Sequence, residues 1–252
     1  MIRLRIDDHL IIPFGRPKWD ISKIRLVGVS TQATYFESDT PCAYLDKTRN
    51  NPLRLMDFRD LFPEPERFPE QLDDSTALEF VAGYLKTDCQ LQTPSENLFL
   101  DLYFGFLTKS VVRHSWLRDQ PAEKVPPPMT GTYWMFAGLM PLPQAHLYLE
   151  DPLRPTERHN IAPNTMVKVD FAFWTGKRVI AVEIDGGSHI GSENHVRKDR
   201  LLHRAGVEII HILNDELTTH GIKAIEKLLP EEITHYWKDE KYAYNPFDDI
   251  PF

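Results

Sequence analysis

Cysteine is scarce in this sequence, since the 252 residues include only Cys42 and Cys89. Two thiols cannot form a disulfide framework or a four-thiolate zinc site. We therefore expect a protein of a reducing compartment, the cytoplasm. Any bound metal is expected to take oxygen or imidazole ligands.

Long hydrophobic runs are also missing. No apolar run approaches the roughly 20 residues that a membrane-spanning helix needs. Charges interrupt the first eight residues before the apolar core of a signal peptide develops. From these absences we expect no membrane partner.

Basic residues do not predominate: 29 lysines and arginines face 37 acidic residues, which gives a formal net charge of −8. This balance argues against a histone-like protein that binds nucleic acid by bulk attraction to phosphate, but it does not exclude a nuclease. A content of 42% hydrophobic and 26% charged residues is typical of a globular protein.

The pattern along the chain changes twice. Residues 1–90 carry short β-like runs at 10–13, 24–29 and 34–36 and a short helix at 75–85. They predict an α+β or β-rich region of unknown role, with substrate recognition and oligomerisation as open alternatives. Residues 91–230 hold a longer series of regular elements, and residues 231–252 form an acidic, aromatic tail.

The central region consists of predicted helices and strands in a definite order. Thr93 and Glu96 form a capping-box pattern around a proline, which predicts the start of a helix. Apolar periodicity and turn residues predict the other boundaries. The elements are a helix at 94–112, strands at 144–149, 167–174 and 178–184, a helix at 193–205, a strand at 207–213 and a helix at 215–229.

The hairpin formed by the second and third of these strands places two acids opposite one another. Gly176 and Lys177 suit a two-residue type II′ turn, which requires glycine at its first central position. Counting back from that turn pairs Asp170 with Glu183. Directly opposed Cβ atoms lie about 4.5–5.5 Å apart, so the two carboxylates repel each other unless something compensates them.

Strand alternation adds a third acid to this face. Asp170, Glu183 and Asp185 share one face, with alanines beside them, while phenylalanine, isoleucine and valine build the other. A hard divalent cation such as Mg²⁺ or Mn²⁺ reconciles such a cluster, and it can polarise a phosphoryl oxygen and lower the pKa of a bound water. The alternative is a solvated strand face with a turn that slips by one residue.

Other candidate residues surround the acids. Lys198 lies on the inward face of its helix, where it either pairs with the acid cluster or extends past the core edge to solvent. His189, in the glycine-rich loop, is a candidate general base, phosphate donor or metal-adjacent ligand, or a structural loop residue. Glu96 either completes the helix cap or reaches the metal. His195 and His203 are expected to face solvent.

Four segments carry a family resemblance: VDFAF at 169–173, AVEIDGGSH at 181–189, RKDRLL at 197–202 and LNDEL at 213–217. They resemble a PD-(D/E)XK nuclease, most closely the branch similar to very-short-patch-repair endonucleases with its E-x-D-G-x-x-H signature. The resemblance implies a restriction-endonuclease-like α/β core, a mixed sheet flanked by helices in the order αβββαβ. It also implies that Asp170, Glu183 and the Ile184 carbonyl bind metal.

One departure from the superfamily pattern concerns the lysine of E-x-K, where this chain has Asp185. The resembling branch also has an aspartate there, and a basic residue on the next helix, here Lys198, would substitute for the missing lysine.

Two functions follow from these predictions. The first is a divalent-metal-dependent nuclease, with DNA favoured over RNA as substrate and a second copy or a regulatory protein as a further partner. The second is a catalytically inactive nuclease fold that serves as a nucleic-acid-binding or assembly module. Loss of the E-x-K lysine favours the second, whereas retention of the three acids and His189 favours the first.

Overall fold

A computed structural model of the chain describes residues 9–15, 24–29, 34–38, 41–47, 50–58, 74–87, 89, 91, 93–113, 135–150, 164–186 and 193–236. The loop that contains His189 and the part of the tail from residue 237 onward lie outside the described residues. The role predicted for His189 therefore stays a prediction.

The first 90 residues contribute short strands and a helix. They are β1 (His9–Pro13), β2 (Ile24–Val29), β3 (Thr34–Ser38), β4 (Cys42–Asp46) and α1 (Asp74–Thr87). β1 pairs antiparallel with β4, and β2 with β3. The predicted strands and helix are present. β4, which pairs antiparallel with β1, was not predicted.

The central region follows the predicted order. Its elements are α2 (Pro94–Arg113), β5 (Leu142–Glu150), β6 (Asn164–Trp174), β7 (Val179–Asp185), α3 (Glu193–Arg204), β8 (Glu208–Leu213), α4 (Asn214–His220), α5 (Ile222–Leu228) and α6 (Glu231–Thr234). The single helix predicted at 215–229 is wrong: Gly221, with φ of +55°, ends α4 and separates it from α5. Among the described helices, none is long and apolar enough to cross a membrane.

Strands β5, β6, β7 and β8 form one mixed sheet in that order. β5–β6 and β6–β7 are antiparallel, whereas β7 and β8 are parallel. The predicted hairpin register is confirmed, with pairs that run from Trp174↔Val179 to Phe171↔Val182. Gly176 has φ of +88°, and a Cβ there would lie 2.2 Å from the Asn50 carbonyl oxygen, so the turn requires glycine.

Helices cover both faces of this sheet, which gives an α/β architecture of three layers. On one face α2 packs its aromatic residues against β6, with ring centroids 4.6 Å apart for Phe99 and Phe171 and 5.4 Å apart for Tyr103 and Phe173. On the other face α3 buries Leu201 and Leu202. The acidic residues of β6 and β7 lie on the α3 side, so the helix covers them.

Described residues from the first 90 share the hydrophobic core with the sheet. Ile12 and Phe14 belong to the same buried cluster as the sheet residues. The Gly15 N–H donates to the Pro143 carbonyl at 2.8 Å, and the Leu53 N–H donates to the Trp174 carbonyl at 3.1 Å. These contacts hold the N-terminal segment against the β5–β6 side of the sheet.

Candidate active site

The two acids predicted to oppose one another lie one residue beyond Phe171↔Val182, the last β6–β7 register pair of the described structure. Beyond the Phe171↔Val182 pair, the carboxylate of Asp170 reaches across and its Oδ2 accepts the Ile184 N–H at 2.8 Å. Glu183 follows Val182 on β7 and is only 7% exposed. The turn at Gly176 thus sets a register that brings both carboxylates to one end of the hairpin, on the face covered by α3.

Lys198 of α3 contacts this acid pair. Its Nζ lies 2.6 Å from Glu183 Oε2, and its side chain is 25% exposed. The helix face on which Lys198 was placed from the sequence therefore brings the ammonium group to the acid cluster, where a carboxylate compensates its burial.

Burial raises the pKa values of both acids. For Glu183, desolvation raises the pKa from the ordinary 4.5 to about 7, with Lys198 opposing the shift and Asp170 adding to it. For Asp170, desolvation also raises the pKa, while the hydrogen bond from the Ile184 N–H lowers it. The site thus disfavours two full negative charges unless a further positive charge joins Lys198.

The stability of the metal-free protein should therefore depend on Glu183 ionisation. Because the folded pKa lies above the unfolded one, the folded state binds more protons between about pH 4.5 and 7, and the free energy of unfolding falls as pH rises through that window. Glu183→Gln cannot ionise, although it also leaves Lys198 without its carboxylate partner, so in EDTA the free energy of unfolding of the variant relative to the original protein should rise by about 2 kcal/mol from pH 5 to pH 8.

Thermal or urea unfolding at the two pH values measures this difference. Glu79→Gln, at an exposed glutamate of α1, is the matched control and should show no such pH dependence. An equal effect of Glu183→Gln at pH 5 and pH 8 would contradict the assignment.

Glu96 enters the site through two other side chains. The Glu96 N–H donates to Thr93 Oγ1 at 3.1 Å, which confirms the Thr93 half of the predicted capping box, while the Glu96 side chain is buried. Glu96 Oε2 accepts from Gln144 Nε2 at 2.9 Å, and Gln144 Oε1 accepts from Lys168 Nζ at 2.5 Å. Lys168 lies two residues before Asp170 on β6, so this chain of hydrogen bonds leads from α2 to the acid face.

An open groove of about 340 Å³ lies beside the acids, between β6 and α3. Three of its lining residues are basic: Lys168, Arg197 and Lys198. The excess of acid over base in the whole chain is thus locally reversed next to the buried carboxylates.

Asp185, the third predicted acid, contacts a histidine that the sequence reasoning missed. Its Oδ2 lies 2.7 Å from Nδ1 of His211 on β8. Glu183 is the register partner of His211 in the parallel β7–β8 pair, so the histidine shares the acid face. The sequence does contain one indication of His211, because it is the single polar residue in the apolar run Ile-Ile-His-Ile-Leu at 209–213. Its position beside Asp185 follows only from the order of the strands in the sheet.

Comparison of the chain with models of protein families, with curated proteins and with solved structures finds no match. The resemblance drawn from the motifs thus stays a prediction, and the function of the chain is inferred below from the geometry of the site.

The expectation for His195 is wrong, whereas that for His203 is confirmed. His203 is exposed. The His195 side chain is only 16% exposed, with Nε2 3.8 Å from Asp199 Oδ2 and its ring centroid 4.8 Å from that of His211. α3 begins over β8, so the first turn of the helix, predicted as solvated, faces a histidine on the sheet.

Proposed function

We propose that this chain is a divalent-metal-dependent nuclease that hydrolyses phosphodiester bonds, namely a DNA endonuclease with a restriction-endonuclease-like core. The single observation that carries the proposal is the carboxylate pair of half-buried Asp170 and buried Glu183 at the end of the β6–β7 pairing, with Lys198 Nζ 2.6 Å from Glu183. The element order and the mixed sheet support the proposed core.

The residues present suit a hard cation. Carboxylate and carbonyl oxygens are the ligands that Mg²⁺ and Mn²⁺ prefer. Within the described part of the chain, Glu183 Oε1 is buried with no hydrogen-bond partner, which leaves one oxygen of the acid pair for a ligand. Asp170, Glu183 and the Ile184 carbonyl would hold the cation. When bound, it supplies Lewis-acid polarisation of a phosphoryl oxygen.

Lys198 is the charge-stabilising and water-orienting residue in this proposal. Its ammonium group is already fixed beside Glu183 by the 2.6 Å contact, so it needs no large movement to donate to a phosphoryl oxygen or orient a water. It thereby takes the role of the lysine that Asp185 replaces. His189 is retained as a proposed general base or phosphate donor.

In this proposal, DNA binds in the groove between β6 and α3. Lys168 and Arg197 line the groove next to Lys198. A phosphate backbone bound in the groove would contact these three basic side chains while one of its phosphates lies near the acid pair. We assign Glu96 a positioning role, because it holds Gln144, which in turn accepts from Lys168.

Cleavage by the purified full chain tests the proposal. Supercoiled plasmid, linear duplex, single-stranded DNA and RNA would be incubated with Mg²⁺, Mn²⁺ or EDTA. We expect metal-dependent cutting of DNA, with EDTA abolishing it and internal cuts converting plasmid to linear or open-circular forms. Preferential RNA cleavage would overturn the DNA assignment alone.

The inactive-module alternative predicts a different result. In that case none of the substrates is cut with either metal, although nucleic acid still binds the groove. Binding measured on the same preparations by fluorescence anisotropy distinguishes the two outcomes. Absence of cutting together with absence of Mg²⁺ or Mn²⁺ binding in calorimetry would overturn the nuclease.

A further inference from the structure

A second group of metal-ligating side chains lies beside the acid pair. Asp185, His195 and His211 offer ligand atoms that all lie within 4.8 Å of one another. They come from the end of β7, the first turn of α3 and the middle of β8, so three separate elements converge there.

A fourth side chain lies between the two imidazoles. Asp199 Oδ2 is 3.4 Å from His211 Nε2 and 3.8 Å from His195 Nε2. Neighbouring ligand atoms of a tetrahedral Zn²⁺, with bonds of about 2.1 Å, are separated by about 3.4 Å. The separations of 3.4 and 3.8 Å between Asp199 and the two histidines are close to this value, so the side chains could bind a metal with only small movements.

The hydrogen bond of His211 also suits a metal ligand. A histidine that binds metal generally uses its other ring nitrogen to contact a carboxylate, which fixes the ring and its tautomer. His211 Nδ1 lies 2.7 Å from Asp185 Oδ2, while Nε2 faces Asp199 and His195. In addition, Asp199 Oδ1 is buried with no hydrogen-bond partner among the described residues.

We propose that His195, His211 and Asp199 form a second metal site, with Asp185 as the carboxylate that orients His211, and that the site is selective for Zn²⁺ or a similar borderline ion rather than Mg²⁺. Two imidazoles are the reason for this selectivity, because imidazole suits Zn²⁺ whereas Mg²⁺ prefers oxygen ligands. The His211 and His195 side chains are 32% and 16% exposed, so an ion can reach the site from solvent.

The site has a structural consequence for the acid pair. His195, Lys198 and Asp199 are spaced i, i+3 and i+4 on α3, so they lie on one face of the helix. A metal that joins the first two turns of α3 to β8 would fix the helix that carries Lys198 to Glu183. The metal site itself does not depend on nuclease activity.

Metal titration of the full-length protein, with no substrate, tests the proposal. Co²⁺ serves as the spectroscopic probe and Zn²⁺ as competitor. We expect one equivalent of Co²⁺ to give visible ligand-field absorption without thiolate charge-transfer bands, to be displaced by Zn²⁺ and to resist excess Mg²⁺. His195→Ala and His211→Ala should each weaken this binding by at least about 10- to 100-fold.

A matched variant makes the result specific. His203→Ala removes an exposed histidine from the same helix and should bind Co²⁺ as the original protein does. Circular dichroism checks that each variant is folded, and Asp199→Asn, which keeps the side-chain shape, replaces a histidine variant that does not fold. Unchanged Co²⁺ binding in the folded His195, His211 or Asp199 variants, or no Co²⁺ or Zn²⁺ binding by the original protein, would overturn the proposal.

Discussion

Asp170→Asn is expected to lower the rate of DNA cleavage by at least about 1,000-fold, a loss typical of removing a group that acts in the transition state. The substitution keeps an oxygen that accepts the Ile184 N–H, now 2.8 Å from Asp170 Oδ2, but removes the charge that would hold the cation. It also removes one of two mutually repelling buried carboxylates. The variant should therefore fold as well as the original protein or better.

Single-turnover cleavage at saturating metal and protein measures this effect, with thermal unfolding as the check on folding. Asp101→Asn, at an exposed aspartate of α2 paired with Lys86, is the matched control and should cleave at the original rate. Glu183→Gln should give a loss comparable to that of Asp170→Asn. If both variants were folded and cleaved within about threefold of the control, the acid pair would not be the catalytic site.

Lys198→Ala is expected to lower turnover about 100- to 10,000-fold while changing the affinity for DNA less than about threefold. The range is that of a positioned proton-transfer or charge-stabilising group. Affinity changes little because Lys168 and Arg197 still line the groove. Since the Lys198 ammonium both lowers the pKa of Glu183 and places a positive charge beside the proposed metal ligands, its loss changes metal affinity, and turnover must be compared at saturating metal.

Two matched variants separate catalysis from binding. Lys177→Ala removes an exposed lysine in the β6–β7 turn and should leave turnover and affinity unchanged. Arg197→Ala, in the groove, should weaken DNA binding more than it lowers turnover. Unchanged turnover in Lys198→Ala at saturating metal would reduce Lys198 to a structural ion pair, and the charge-stabilising group would then be sought elsewhere, with His189 as the first candidate.

The hairpin of the acid pair was predictable because its determinants are local. A glycine at the first turn position sets the register, and strand alternation then decides which side chains share a face. The observed pairs from Trp174↔Val179 to Phe171↔Val182 follow that count. Lys198 was predictable for the same kind of reason, since the helical period alone places it beside Leu201 and Leu202.

Other parts of the site depend on contacts between distant segments. Gln144 forms hydrogen bonds with Glu96, 48 residues earlier in the sequence, and with Lys168, 24 residues later. The sequence around Gln144 does not indicate either contact. His211 meets Asp185 because β8 is parallel to β7 at the edge of the sheet. The order of strands in a sheet depends on how whole elements pack together, so local sequence patterns do not predict it.

The sequence by itself thus determined the α/β series of elements from residue 94 to the end of β8, the hairpin register and the sharing of one face by Asp170, Glu183 and Asp185. These features follow from turn chemistry and from the helix and strand periods, which act over a few residues. Only the tertiary structure decided that Asp185 turns to His211 and that His195 is covered. Both contacts, Asp185 with His211 and His195 with His211, join side chains of different elements. These elements come together only when the common core is buried, so the residues are close in space but distant in the sequence.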